Sequence, residues 1–138
     1  MTSRSVTFAV PFVAGQARPR WTGNHMIDPP QSREAKKAVA DAFRAAAPDW
    51  GEPSPRGVPV ELRVIVIKRC PKAKKQGDDG LVKPDIDNIL KLVMDALNGI
   101  AYEDDVQVAR ATIVKLPRKA GAIKDRMVNE IREGITHD

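Results

Sequence analysis

Over residues 5 to 13 the chain alternates, with Val6, Phe8, Val10 and Phe12 on one side of an extended backbone and Thr7 and Ala9 between them. Period two over that length predicts a first strand. Pro11, which cannot donate to a ladder, places it near a sheet edge. The stretch "AGQARPRWTGNHMIDPPQ" that follows has no period and carries Gly, Pro and Asn, so it reads as an irregular loop. Ser32 reads as the N-cap of a helix over 33–46, whose buried stripe is Ala35, Val39, Ala42, Phe43 and Ala46 and whose end is set by Pro48.

Period two returns in "VPVELRVIVIKR" at 58–69. Val60, Leu62, Val64 and Val66 share one face, while Ile65 and Ile67 make the other apolar as well, the pattern of a central strand. The next segment, "CPKAKKQGDDGLVK", is polar and glycine-bearing, and at about 71–83 it should form a mobile basic loop in which Asp78 and Asp79 serve as turn residues. A helix is expected over 85–98, burying Ile86, Ile89, Leu90, Val93, Ala96 and Leu97, with Asn98 and Gly99 as its stop. Residues 106–116 read as a further strand.

The tail is ambiguous. Ile123, Met127, Ile131 and Ile135 recur at four, which suits a helix, while Met127 and Ile131 also suit a short strand. The element order predicts one α/β (α+β) domain over residues 1–138, a mixed sheet of about four strands packed with two main helices.

Composition narrows the chemistry. The 138 residues suffice for one domain with a real core and are too few to divide comfortably. Lys plus Arg outnumber Asp plus Glu 23 to 18, a net charge of +5 that favours an anionic partner. Cys70 is the single cysteine, which excludes an intrachain disulfide and a thiolate zinc cluster. No run approaches the length of a membrane span and the N-terminus has no adequate signal core, so a cytoplasmic setting is expected. His25 and His137 are the only histidines, which argues against a His-based metal site or a Ser-His-Asp triad. Carboxylates and lysines must carry any chemistry.

Those carboxylates gather where "KPDIDNILK" opens the second helix, and again just past its end. Asp85 or Asp87 could cap free N–H groups in the first turn, and Asp87, Lys91 and Asp95 could form a ladder of surface ion pairs at steps of four. Alternatively, Asp85 and Asp87 with the pair Asp104 and Asp105 could hold a hard divalent cation such as Mg²⁺, whose preferred ligands are oxygens. Phosphodiester hydrolysis suits such a site, and Lys91 could add positive charge near the scissile phosphate. Bare carboxylates repel a polyanion, so this arrangement makes sense only with a cation in place and basic residues around it. Arg18, Arg20, Arg33, Lys36, Lys37, Lys72, Lys74, Lys75 and Lys83 are the candidates for DNA contact.

Residues 83–108, "KPDIDNILKLVMDALNGIAYEDDVQV", resemble the signature of the RusA family of Holliday-junction resolvases. The likeness lies in an Asp-x-Asp-Asn opening, a lysine four residues past the second Asp, an Asp-Ala-Leu helix end and an Asp-Asp pair leading into a strand. The resemblance implies a Mg²⁺-dependent homodimeric endodeoxyribonuclease, with Mn²⁺ able to stand in. Such an enzyme places paired nicks in four-way DNA junctions during recombination and repair, and is typically encoded by prophages or phages. It maps the family's essential carboxylates onto Asp85, Asp87 and Asp105, with Asp104 as the neighbouring acid, and its functional lysine onto Lys91. The family's final element is usually a strand, at odds with the period of four in the tail.

A helix of about 14 residues spans roughly 21 Å, and residues 99–105 fully extended reach back only about 23 to 25 Å. Uniting Asp85 and Asp87 with Asp105 therefore needs a nearly straight return or a second copy of the chain, and a site completed across a twofold interface is favoured. Two other readings stay open: a non-catalytic basic dimer that binds branched or duplex DNA by shape, and a small structural partner in a larger assembly. Trp21 and Tyr102 could each stack on a base, or simply pack against the core.

Overall fold

The computed structural model describes residues 3–16, 20–22, 25–27, 30–68, 83–116 and 124–135. Strand β1 (Ser5–Val10) leads through a short hairpin, β2 (Arg20–Thr22) and β3 (His25–Ile27), into helix α1 (Pro30–Ala46). Strand β4 (Val60–Ile67), helix α2 (Ile86–Leu97), a 3₁₀ turn (Asp105–Gln107), β5 (Val108–Leu116) and β6 (Arg126–Glu133) complete the order.

The main sheet runs β1-β6-β4-β5, with β4 parallel to β5 and β6 antiparallel to both of its neighbours. β1 and β4 therefore point the same way, and the last strand of the chain is slotted between them. This is the expected mixed sheet of four strands with two helices. β1 is an edge strand, in keeping with Pro11 just beyond it, and β4 is interior.

One face of the sheet makes the core. Phe8 and Val10 from β1, Val60, Leu62, Val64 and Val66 from β4, and Met127 and Ile131 from β6 are all buried against Val39 and Phe43 of α1 and Ile89, Leu92, Val93 and Leu97 of α2. Phe43 meets Phe8 and Trp50 edge-on, with ring centroids 5.8 and 5.2 Å apart. On the helix-free face, Glu61 is only 1% exposed and is paired with Arg63 at 3.1 Å and Arg110 at 3.6 Å.

Several expectations are corrected. The stretch read as wholly irregular contains the β2–β3 hairpin. α1 starts at Pro30, whose missing N–H costs nothing in a first turn, so Ser32 lies buried inside the helix rather than capping it. In the stripe of α1, Ala40 is buried and Ala46 is exposed. In α2, Leu92 is buried, while Ile86 in the first turn is 46% exposed. The strand expected from 106 starts at Val108, because a 3₁₀ turn takes the residues before it.

The tail resolves as a strand: Met127, Asn129 and Ile131 point inward at period two. The expected loop at about 71–83, with Asp78 and Asp79, lies outside the described residues save for Lys83. Among the described residues, no helix is long and apolar enough to cross a membrane.

Candidate metal and DNA site

The two acid groups occupy opposite ends of α2. Asp85 is the N-cap residue with extended backbone, φ −71° and ψ 155°, yet its side chain makes no capping hydrogen bond. Asp87 lies in the first turn, and both are exposed. Lys91, one turn further, is exposed as well. The surface ladder does not form: among the described residues no ion pair joins Asp87 to Lys91 or Lys91 to Asp95. Asp95 is instead met by Lys36 from α1, Nζ to Oδ2 3.7 Å.

At the far end, α2 closes on Asn98 and on Gly99 at φ 78°, the left-handed conformation that a glycine takes without strain. The chain then turns tightly. The Gly99 N–H donates to the Tyr102 carbonyl at 2.8 Å, and the fully buried Tyr102 hydroxyl donates back to the Met94 carbonyl at 2.6 Å. The Trp50 indole N–H donates to the Ala101 carbonyl at 3.1 Å.

Asp104 then caps the 3₁₀ turn. Its carboxylate accepts from the Val106 N–H at 3.2 Å, and its own N–H donates to Gln107 Oε1 at 3.0 Å, closing a capping box. Gln107 Nε2 donates to the carbonyls of Ser54, Pro55 and Val58 at 2.9 to 3.1 Å, which ties the acid turn to the loop before β4.

Burial, then a hydrogen bond to Asp104 and the nearby charges of Asp104 and Asp95, raise the Asp105 carboxyl above its ordinary range. Burial, with the charges of Asp105 and Asp95 adding to it, likewise raises the Tyr102 phenol. Asp95 thus belongs with Asp104 and Asp105, a neighbour that its place in the expected surface ladder had concealed.

These acids do not converge with the first pair inside one chain. Asp87 and Asp95 are eight residues apart, about 12 Å along the helix axis. Among the described residues, no three acids, histidines or cysteines close around a common ion position. The donors are nevertheless of the right kind for Mg²⁺: carboxylate oxygens, at Asp85 and Asp87, which make no ion pair among the described residues, and at the neighbouring Asp104 and Asp105. A divalent cation would offset the burial and the neighbouring negative charge that raise the Asp105 carboxyl.

The basic candidates divide. Arg33 and Lys83 are exposed. Lys37 is engaged locally, donating to Asp41 at 2.8 Å, and Lys36 is held by Asp95. Arg20 contributes backbone to β2; Arg18, Lys72, Lys74 and Lys75 lie outside the described residues. Tyr102, read as a base-stacking candidate or a core residue, is core. Gln107 and Trp50 support the acid turn without any sequence signal for that role, because their partners are backbone N–H and C=O groups, which leave no trace in sequence.

Comparison with known proteins agrees with the motif. The family model for Endodeoxyribonuclease RusA matches residues 11–126. The chain is also 36% identical over 115 residues to "Uncharacterized protein YqaN" of Bacillus subtilis (strain 168), an alignment covering 72% of this chain and 78% of that one.

Proposed function

From the fact that the chain belongs to the RusA family of endodeoxyribonucleases, which resolve Holliday junctions, we propose that it is a Mg²⁺-dependent homodimer that cuts four-way DNA junctions by paired nicks. The observation that carries the assignment of residues is the state of the first acid pair. Asp85 sits at the N-cap without capping and Asp87 carries no ion pair among the described residues, so neither carboxylate is consumed by the fold. Exposed, unpaired acids in a chain of net charge +5 that acts on a polyanion call for a cation.

In this reading Asp85, Asp87 and Asp105 hold the metal, with Asp104 as the supporting acid. When bound, the cation supplies water activation and charge neutralisation at the phosphodiester. Lys91, exposed one turn past Asp87, places an ammonium beside the scissile phosphate. Arg33 and Lys83 grip flanking phosphates, and the capping box of Asp104 with Gln107 holds the acid turn rigid. Because the two acid groups lie at opposite ends of one helix, the site is completed across a dimer, with Asp105 of one copy joining Asp85 and Asp87 of the other. Two such sites related by a twofold axis match a junction that is cut on two strands.

The test is cleavage of a labelled synthetic four-way junction beside linear duplex, in Mg²⁺ or chelator, by the wild type and Asp87→Asn. Paired nicks near the branch that require both the metal and Asp87 are expected, with a loss of at least about 100-fold in the variant. Junction binding with no cutting by either protein, in Mg²⁺ or Mn²⁺, would reduce the chain to a shape-reading binder.

A further inference from the structure

A cleft of about 380 Å³ opens beside Asp85, between residues 13–16 that follow β1 and residues 83–88 that lead into α2. Its walls are of two kinds. Val13, Ala14 and Pro84 are apolar, while Gln16, Lys83, Asp85 and Asn88 are the polar and charged members of its lining.

The cleft is built rather than incidental. The Gln16 N–H donates to the Asn88 carbonyl at 2.9 Å, pinning the two segments together. Gly15 has no room for a side chain, since a Cβ there would lie 2.7 Å from Pro84 Cβ and 3.2 Å from Asn88 Cβ. The close approach is thus written into the sequence at Gly15.

We propose that this cleft receives one unstacked nucleobase of the DNA, from the strand whose phosphate lies at the carboxylates. The inference rests on the nuclease reading above and adds a specificity subsite to it. The volume suits a single ring system and is far too small for a duplex arm. Apolar walls suit the faces of a base, an amide suits its hydrogen-bonding edge, and an ammonium at the rim suits the adjoining phosphate. A base can leave its stack at low cost where strands exchange at a branch, and far less readily inside a duplex. Occupation of the cleft would therefore favour cutting at branched sites and make the cut sensitive to the base beside it.

Junctions carrying 2-aminopurine at successive positions around the branch test this, with Ca²⁺ in place of Mg²⁺ to hold back cutting. Among the described residues no aromatic ring lines the cleft, so an unstacked 2-aminopurine there should brighten. The wild type should raise emission several-fold at one position, and Ala14→Phe, which fills the cleft, should bind the junction and lose that rise. An abasic site at the same position should weaken wild-type binding several-fold.

Flat emission at every position in a junction that the wild type binds and cuts would overturn the subsite and leave the nuclease standing. A rise undiminished in folded Ala14→Phe would also overturn it, since the base would then go elsewhere. If Ala14→Phe does not fold, the abasic junction decides: wild-type binding as tight as to the intact junction overturns the proposal. A wild type that neither binds nor cuts junctions removes the nuclease reading and the subsite with it.

Discussion

Lys36 on α1 lies 3.7 Å from Asp95 on α2, and it takes the place in the ion-pair scheme that the helical spacing offered to Lys91. Asp95 faces inward toward the helix pair and the acid turn, while Lys91 is left in solvent with no partner among the described residues. An exposed, unpaired lysine contributes almost nothing to stability. Lys91→Ala should therefore keep the unfolding free energy within about 0.5 kcal/mol of wild type while lowering the rate of junction cutting by about 10- to 100-fold. Denaturant titration beside single-turnover cleavage separates the two. Unchanged cutting would remove Lys91 from the site.

Asn129 offers a prediction of the opposite kind. It is fully buried on the core face of β6, in register with Phe8 on one side and Val64 on the other, and neither its Nδ2 nor its Oδ1 has a partner among the described residues. An unsatisfied buried polar group costs about 1 to 3 kcal/mol. Asn129→Leu, similar in size, should raise stability by about 1 to 2 kcal/mol, seen as a higher urea midpoint at unchanged m. A destabilised variant would show that the amide has a role that these contacts do not reveal.

The same residue explains why the tail was hard to read. With Asn129 between Met127 and Ile131, the inward face of β6 loses its middle hydrophobe, and alternation at period two looks like recurrence at four. β4 was legible because all its inward positions are aliphatic. In α2 the two apolar ends mislead, since Ile86 lies in the first turn ahead of the core and Leu92 is the buried one. The acids of the candidate site stood out by motif. Their separation into two groups was foreshadowed by the length of the helix, whereas the link between Asp95 and Asp105 depends on a turn built by Tyr102 and Gln107 that spacing does not encode.

That turn can be tested directly. Gln107 Nε2 serves three carbonyls and its Oε1 accepts from Asp104, so Gln107→Met removes four hydrogen bonds at once, although the Ser54 and Pro55 carbonyls keep the N–H groups of Glu103 and Val58. A loss of about 2 to 3 kcal/mol is expected. Cutting should fall with it, measured at a temperature where the variant is still folded, because the carboxylates of Asp104 and Asp105 would no longer be held in place. Full activity in the folded variant would show that the capping box does not position the acids.

Stability in acid should depend on Glu133. Arg4 donates to this carboxylate at 3.0 Å while its guanidinium lies 4.3 Å from the centre of the Trp50 ring, and Ser54 Oγ donates at 2.6 Å. The hydrogen bond from Arg4 is the largest cause that lowers Glu133 from its ordinary 4.5 to about 2, with Ser54 assisting and burial opposing. A depressed carboxyl contributes stability above its unfolded value and loses it as pH falls through the folded one. The advantage of wild type over Glu133→Gln should therefore be complete above pH 4.5 and fade toward pH 2. Partial exposure of the carboxylate reduces the expected size to about 1 to 2 kcal/mol. Melts of the two proteins across that range measure it, and a constant difference would rule out the titration of Glu133 as its source.

Sharing of the site between two copies, as proposed above, makes a prediction that no single variant can. Asp87→Asn and Asp105→Asn homodimers each lack one carboxylate in both sites, and both should be inactive. If each site draws Asp87 from one chain and Asp105 from the other, a mixed dimer has one site missing both and one site with both intact. Mixing two inactive proteins and allowing subunits to exchange should then restore cutting. With equal amounts about half the dimers are mixed and each carries one good site of two, so recovery should approach about a quarter of wild-type sites. The products should also change, from paired nicks to single ones, because no mixed dimer can cut both strands in one encounter. If the acids act within one chain, every site in the mixed dimer still lacks a carboxylate and mixing restores nothing. Asp85 and Asp87 would then have to be brought to Asp105 by a return of the chain that the helix, with its acids at opposite ends, does not make.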